Sequence, residues 1–227
     1  VGLVHVCGLT SGGAAYCWGS GSYGTLGGTE DLRVPTALTG PEFRQLAAGA
    51  TTSCGVGEDG TSYCWGLDWF GTLGTGSASG VTLTTPTPLS GSTGLERIHP
   101  GDANSILSPA CGLTGAGEAW CWGANLYGQL GTEATTEICG PIMAGTPLFG
   151  CSGAPLRVEG GHRFVTIAAG PGTTCGITGD GALYCWGSNG RRHMGFTMLP
   201  RVCGFETVFE APCTFEPVRV APGLELR

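Results

Sequence analysis

The sequence predicts an all-β fold made by repetition, and three observations predict it. The phrase C-G-x7-[YW]-C-W-G occurs four times, at Cys7, Cys54, Cys111 and Cys175, and recurrence at such a period is the mark of a repeat architecture. Glycine supplies 44 of the 227 residues and charged residues only 12%, against about a quarter charged in ordinary globular chains. What recurs is short β-prone runs punctuated by Gly, Pro, Ser and Thr, with little material for amphipathic helices.

The unit begins with a Pro-x-x-[LV] step, at Pro35, Pro86, Pro155 and Pro217. A short apolar strand follows, Phe43-x-x-Leu46-Ala-Ala-Gly49 before the second hairpin and Phe164-x-x-Ile167-Ala-Ala-Gly170 before the fourth. Leu95-x-x-Ile98-His-Pro-Gly101 takes that place before the third. Then comes the hairpin itself. The turn lies between its two cysteines, at S-G-G, E-D-G, G-A-G or G-D-G, where glycine beside Asp or Ser supplies the positive φ of a tight turn. Three copies continue x4-G-x-L-G, while the fourth departs from that tail and ends Met194-Gly195. Units cut at the prolines run approximately 1–34, 35–85, 86–154 and 155–216, with 217–227 beginning a further or closing one, all in a single domain.

Cysteines placed symmetrically about a hairpin turn face each other across the two strands, about 4.5–5.5 Å apart at Cα, within reach of a disulfide. The predicted pairs are Cys7–Cys17, Cys54–Cys64, Cys111–Cys121 and Cys175–Cys185. Cys139 with Cys151 and Cys203 with Cys213 lie in the joints after the third and fourth hairpins and complete twelve cysteines in six short-range pairs. Zinc is the rival, but a zinc ribbon wants paired C-x2-4-C knuckles, and the chain has none. By loop entropy a ten-residue loop is worth about 2.5–3 kcal/mol, an upper figure that does not multiply by six. Tyr and Trp flank the second cysteine and point to the opposite face from it, so both faces of the hairpin are expected to be buried.

The phrase is seen nearly whole at Cys111 to Gly131, CGLTGAGEAWCWGANLYGQLG. It resembles the repeat of the regulator of chromosome condensation family, and more closely its cysteine-bearing form in secreted bacterial proteins. The resemblance covers all four units and implies a β-propeller in which each unit is one four-stranded blade. Propellers of the family usually have seven blades, and four units are found here. The chain ends on EPVRVAPGLELR, the start of a fifth unit, and opens on VGLVHVCGLT, the later part of one. Joined, the two fall about one to three residues short of a blade. Strand-swap closure, a longer array and a contact between successive molecules all remain open. Since Val1 begins in mid-repeat, the chain is expected to be a mature form or an excerpt.

The net charge is −7 and all ten basic residues are arginine; nothing resembles a basic stripe for phosphates, so no nucleic-acid partner is expected. No apolar run approaches a membrane span. Gly19-Ser-Gly21-Ser-Tyr-Gly24 matches G-x-G-x-x-G, yet Asp68, Asn125 and Asn189 stand where Gly21 does, so it is the repeat's own turn. His5, His99, His162 and His193 share no spacing. No catalytic, cofactor or metal motif emerges. The disulfides point to an extracellular, cell-surface or periplasmic location.

One feature exceeds the repeat. The step from each hairpin's final Gly to the next Pro grows from 8 and 12 positions to 24 (Gly131 to Pro155) and 22 (Gly195 to Pro217). Insertions at one position of a repeat emerge on one face, often the binding face. Both long joints carry their own cysteine pair and apolar residues a loop does not need: Ile142, Met143, Phe149, Phe205, Phe209 and Phe215. They form the candidate binding face. The expected function is a secreted or cell-surface, non-catalytic propeller that presents this face to a protein or glycan. The alternatives are a structural subunit polymerising through blade edges, and an enzyme inhibitor like the secreted β-lactamase inhibitor that shares the repeat.

Overall fold

The structure is a computed structural model that describes residues 1–91, 94–101, 107–140, 148–195, 201–204 and 210–222. It is all-β, in four antiparallel sheets. The first contains β1 (His5–Leu9), β2 (Ala15–Gly19) and β3 (Leu32–Ala37). The second runs β4 (Phe43–Ala48), β5 (Thr52–Gly57), β6 (Ser62–Leu67) and β7 (Thr82–Pro88). The third has β8 (Leu95–His99), β9 (Ala110–Thr114), β10 (Ala119–Ala124), β11 (Glu137–Cys139) and β12 (Phe149–Arg157). The fourth has β13 (Phe164–Gly170), β14 (Thr173–Thr178), β15 (Leu183–Ser188), β16 (Arg201–Cys203) and β17 (Ala211–Arg219). Among the described residues no helix is long and apolar enough to cross a membrane.

Sheets and sequence units are out of phase by one strand, which corrects the expectation that a unit cut at its proline is one blade. Pro35, Pro86, Pro155 and Pro217 lie in β3, β7, β12 and β17, and each of these strands pairs with the hairpin before it. The reason is the missing N–H. Proline fits a strand only where one edge asks for no bond, and β3 and β7 are sheet edges. In β12 and β17, pairing to the fifth strand covers only 149–151 and 211–213 and leaves Pro155 and Pro217 clear.

The hairpin registers place Cys7 opposite Cys17, Cys54 opposite Cys64, Cys111 opposite Cys121 and Cys175 opposite Cys185. All four pairs are disulfides with Cα atoms 4.1–4.2 Å apart. Cys139–Cys151 and Cys203–Cys213 also bond, at 5.8 Å. These two are diagonal, because Cys139 stands opposite Phe149 and Cys203 opposite Ala211.

The invariant glycine after each tryptophan has a mechanical cause. The ladder to the outer strand slips at this point in all four sheets. Gly19, Gly66, Gly123 and Gly187 accordingly hold φ of 99–113°, a bulge conformation that side chains resist.

Successive sheets pack face to face from the first to the fourth, chiefly β1 on β4, β5 on β8 and β9 on β13. Among the described residues no comparable packing joins the fourth sheet to the first. The core lies between sheets: Leu95, Ile98 and Trp122 with Leu73 at one junction, Phe164, Ile167 and Trp186 with Leu130 at the next. Each junction is also locked by a polar contact. Trp65, Trp122 and Trp186 donate Nε1–H to the main-chain oxygens of Thr25, Thr72 and Gln129 in the preceding sheet's loop, at 2.9–3.0 Å.

Candidate functional site

The two long joints add the strands β11 and β16, each three residues long and each the outermost strand of its sheet. So short an edge strand has little ladder to hold it, and a diagonal disulfide fastens each to its neighbour. The two strands repeat one chemistry, an ionisable residue, a β-branched residue and the cysteine: Glu137-Ile138-Cys139 and Arg201-Val202-Cys203.

Ile138 and Val202 are 73% and 64% exposed, and their main chain faces outward too. Opposite them stand Gly150 and Pro212. Those carbonyls are taken from the other side, by the N–H groups of Asn125 at 3.0 Å and Asn189 at 2.6 Å. In an antiparallel pair both facing residues then turn their polar groups away from each other. Ile138 and Val202 therefore each aim an N–H and a C=O at the open edge.

Between the stapled strand of the fourth sheet and the third sheet lies a groove of about 530 Å³. Leu126, Leu148 and Phe149 form one wall, and Arg201, Val202 and Phe215 the other. The Arg201 guanidinium lies 4.4 Å from the centre of the Phe215 ring and pairs with Glu133 across the groove. Leu148 at its mouth is 61% exposed.

Of the apolar residues nominated from sequence, Phe149 and Phe215 line this groove. Ile142, Met143, Phe205 and Phe209 lie outside the described residues. Phe149 is only 6% exposed and packs edge-on to Phe70 at 5.1 Å, so it is a floor rather than an anchor. Leu148, Ile138 and Val202 were not nominated, although the parallel Glu-Ile-Cys and Arg-Val-Cys triplets are a signal in the sequence that finds two of them.

The histidines stay apart. His5 is buried against Ser53 Oγ at 2.8 Å, His162 stacks on Tyr184 with ring centres 4.0 Å apart, and His193 Nε2 lies 2.9 Å from Thr173 Oγ1. Desolvation lowers the pKa of His5, His99 and His162. The Gly19–Gly24 stretch is the loop ahead of the junction, its Gly21 N–H held by Asp31 at 2.9 Å. In the other sheets the side chains of Asp68, Asn125 and Asn189 brace that loop, accepting from the N–H of Leu73, Leu130 and Met194 at 3.0–3.1 Å.

Comparison with known proteins finds regulator of chromosome condensation (RCC1) repeats over residues 12–56, 116–177 and 164–192. The ultraviolet-B receptor UVR8 of Arabidopsis thaliana is 33% identical over 195 residues, 82% of this chain and 40% of the receptor. The human E3 ubiquitin-protein ligase HERC2 is 28% identical over 215 residues, which are 88% of this chain and 4% of that protein. The chain thus spans two fifths or less of these relatives. Among solved structures, yeast RCC1 (Prp20), seen bound to Kap60, superposes with a TM-score of 0.74 at 19% identity, covering 96% of this chain and 47% of its own. Human WBSCR16 gives 0.70 at 23%, covering 99% and 52%. These structural likenesses carry the fold.

Proposed function

This chain belongs to the regulator of chromosome condensation (RCC1) repeat family, and from that premise we propose that it is a non-catalytic interaction scaffold. It works in an oxidising compartment outside the cytoplasm and presents the stapled rim of its third and fourth sheets to a partner protein. The observation that carries this reading is the groove beside β16, where an exposed Val202, an outward N–H and C=O, and the apolar Leu148 and Phe215 converge. An extended segment laid along that edge gains main-chain hydrogen bonds and side-chain pockets together, as in strand addition. Six disulfides support the compartment, since reducing cytosol does not sustain them.

A second reading is assembly of copies into an array through the outermost strands β11 and β16.

The test is affinity capture from the native extracytoplasmic fraction with the wild-type chain, a Leu148→Asp/Val202→Asp double variant and Val34→Asp as a remote exposed control. A partner retained by wild type and control but lost by the double variant supports the scaffold. Equal capture by all three defeats it. Light scattering of the same preparations, at or above the 23.0 kDa chain mass, separates a single scaffold from an array.

A further inference from the structure

The four sheets are internal controls for one another, and at one position the fourth departs from the third in a concerted way. Beside the third sheet's staple an apolar cluster is closed: Phe70 reaches over from the second sheet and packs with Leu107, Ala124, Leu126 and Phe149. Counted from the cysteines, the same five positions at the fourth sheet are Tyr127, Pro171, Ser188, Gly190 and Ala211. Leucine has become glycine and phenylalanine alanine. Where the third sheet has core, the fourth has a cleft of about 620 Å³ lined by all five of those residues.

The rim changes with it. The third sheet's Tyr127 and Gln129 correspond to Arg191 and His193, both of which line the cleft together with Glu210. Arg191 and Glu210 are exposed and form no ion pair among the described residues. His193 is positioned by Thr173. Burial holds the Tyr127 phenol above its ordinary pKa, so it is an uncharged aromatic wall. In a chain of net charge −7, Arg191, Arg192 and His193 are three consecutive cationic or protonatable groups, and at these positions the other sheets carry Tyr23-Gly24-Thr25, Phe70-Gly71-Thr72 and Tyr127-Gly128-Gln129.

A hollow made by removing two large side chains, walled by an aromatic ring and a proline and rimmed by an arginine, a histidine and a carboxylate, asks for a particular ligand. It must offer a flat, partly apolar body, an anionic group and hydroxyl donors. We propose that this cleft binds a uronic acid unit of an acidic polysaccharide. The pyranose lies against Tyr127 and Pro171, its carboxylate is held by Arg191 and His193, and a ring hydroxyl donates to Glu210. The inference shares with the preceding section the premise of a binding protein, but it uses a different cleft and different residues.

Amide-resolved NMR titration of the whole disulfide-bonded chain with trigalacturonate tests it, with neutral galactotriose and hexaglutamate as comparison probes. Saturable shifts are expected at residues 188–193, with galactotriose at least about tenfold weaker, about 1.4 kcal/mol. Arg191→Gln, a surface change, should weaken binding by about tenfold. Ala211→Phe, which restores the third sheet's residue, should abolish it while near-ultraviolet circular dichroism reports an intact fold. The proposal is overturned by no saturation up to about 10 mM trigalacturonate, by shifts that map elsewhere, or by equal affinity for the neutral sugar. It is equally overturned if Arg191→Gln binds as wild type does, or if hexaglutamate binds more tightly, which makes the cleft a site for acidic peptides. None of these results bears on the groove tested through Leu148 and Val202.

Discussion

His5 shows how a single residue can tie two sheets together and make the tie depend on pH. It is 2% exposed, its Nε2 meets Ser53 Oγ in the second sheet, and its Nδ1 has no hydrogen-bond partner among the described residues. Ser53 in turn donates to the Thr25 carbonyl that Trp65 also uses. Burial lowers the His5 pKa from 6.5 to about 4. The unfolded chain takes up this proton more readily than the folded one, so the stability of the neutral form is present above pH 6.5 and is lost as pH falls toward 4. The depression corresponds to at most about 3 kcal/mol. Urea unfolding midpoints should therefore fall between pH 6.5 and 4 in wild type, and fall distinctly less in His5→Gln. Parallel pH curves would show that His5 is not the group concerned. Arg192 is the other residue that stands out. It holds φ of 57° where Gly24, Gly71 and Gly128 hold 74–83°, and a side chain in that region costs about 1–2 kcal/mol. The fourth copy therefore keeps the length of the others and changes only the residues of its loop.

At the scale of the element, the staples decide what the rim is. β16 has three residues and one neighbour, too few ladder bonds to hold it without help. The Cys203–Cys213 disulfide supplies that help across a diagonal. Replacing both cysteines with serine should raise hydrogen exchange at the amides of 201 and 203, which face β17, to near the rate of free peptide, while the Cys175–Cys185 hairpin stays protected. Global stability should drop by no more than about 3 kcal/mol, the loop-entropy value for a ten-residue ring. Undiminished protection at 201 and 203 would mean that the groove, not the disulfide, holds the strand. The pairing itself was legible in the sequence, because the four hairpins use eight of the twelve cysteines and leave each long joint one short-range pair. The diagonal was not: nothing in Cys203 to Cys213 tells which residue will stand opposite which.

In the whole molecule, cohesion comes from junctions that repeat. A loop glycine slides under the next sheet's outer strand, where a Cβ on Gly128 would come within 2.6 Å of the Thr214 carbonyl oxygen. One residue further, the loop carbonyl receives the next sheet's tryptophan. Trp122→Phe leaves the Thr72 carbonyl without that donor in a buried setting, which should cost about 1–3 kcal/mol, and the smaller ring adds a packing loss to it. Equilibrium denaturation read by hydrogen exchange should place the loss on both sides of the second junction, at Thr72 and in β9. A loss confined to β10 would show that the bond does not couple the sheets.

The sequence by itself determined the β class, the four hairpins and the partners of the cysteines. Each of these depends on residues within a dozen positions of one another, where chain connectivity leaves one arrangement open. Only the tertiary structure decided that the sheets are cut one strand away from the units, and that Phe149 is floor while Leu148 and Val202 are surface. It alone decided that the fourth sheet is hollow where the third is full. Those outcomes arise between residues such as Trp122 and Thr72, 50 positions apart, when one twisted sheet settles on the next. The volume left between two packed faces is a property of both faces together, and no single stretch of the chain contains it.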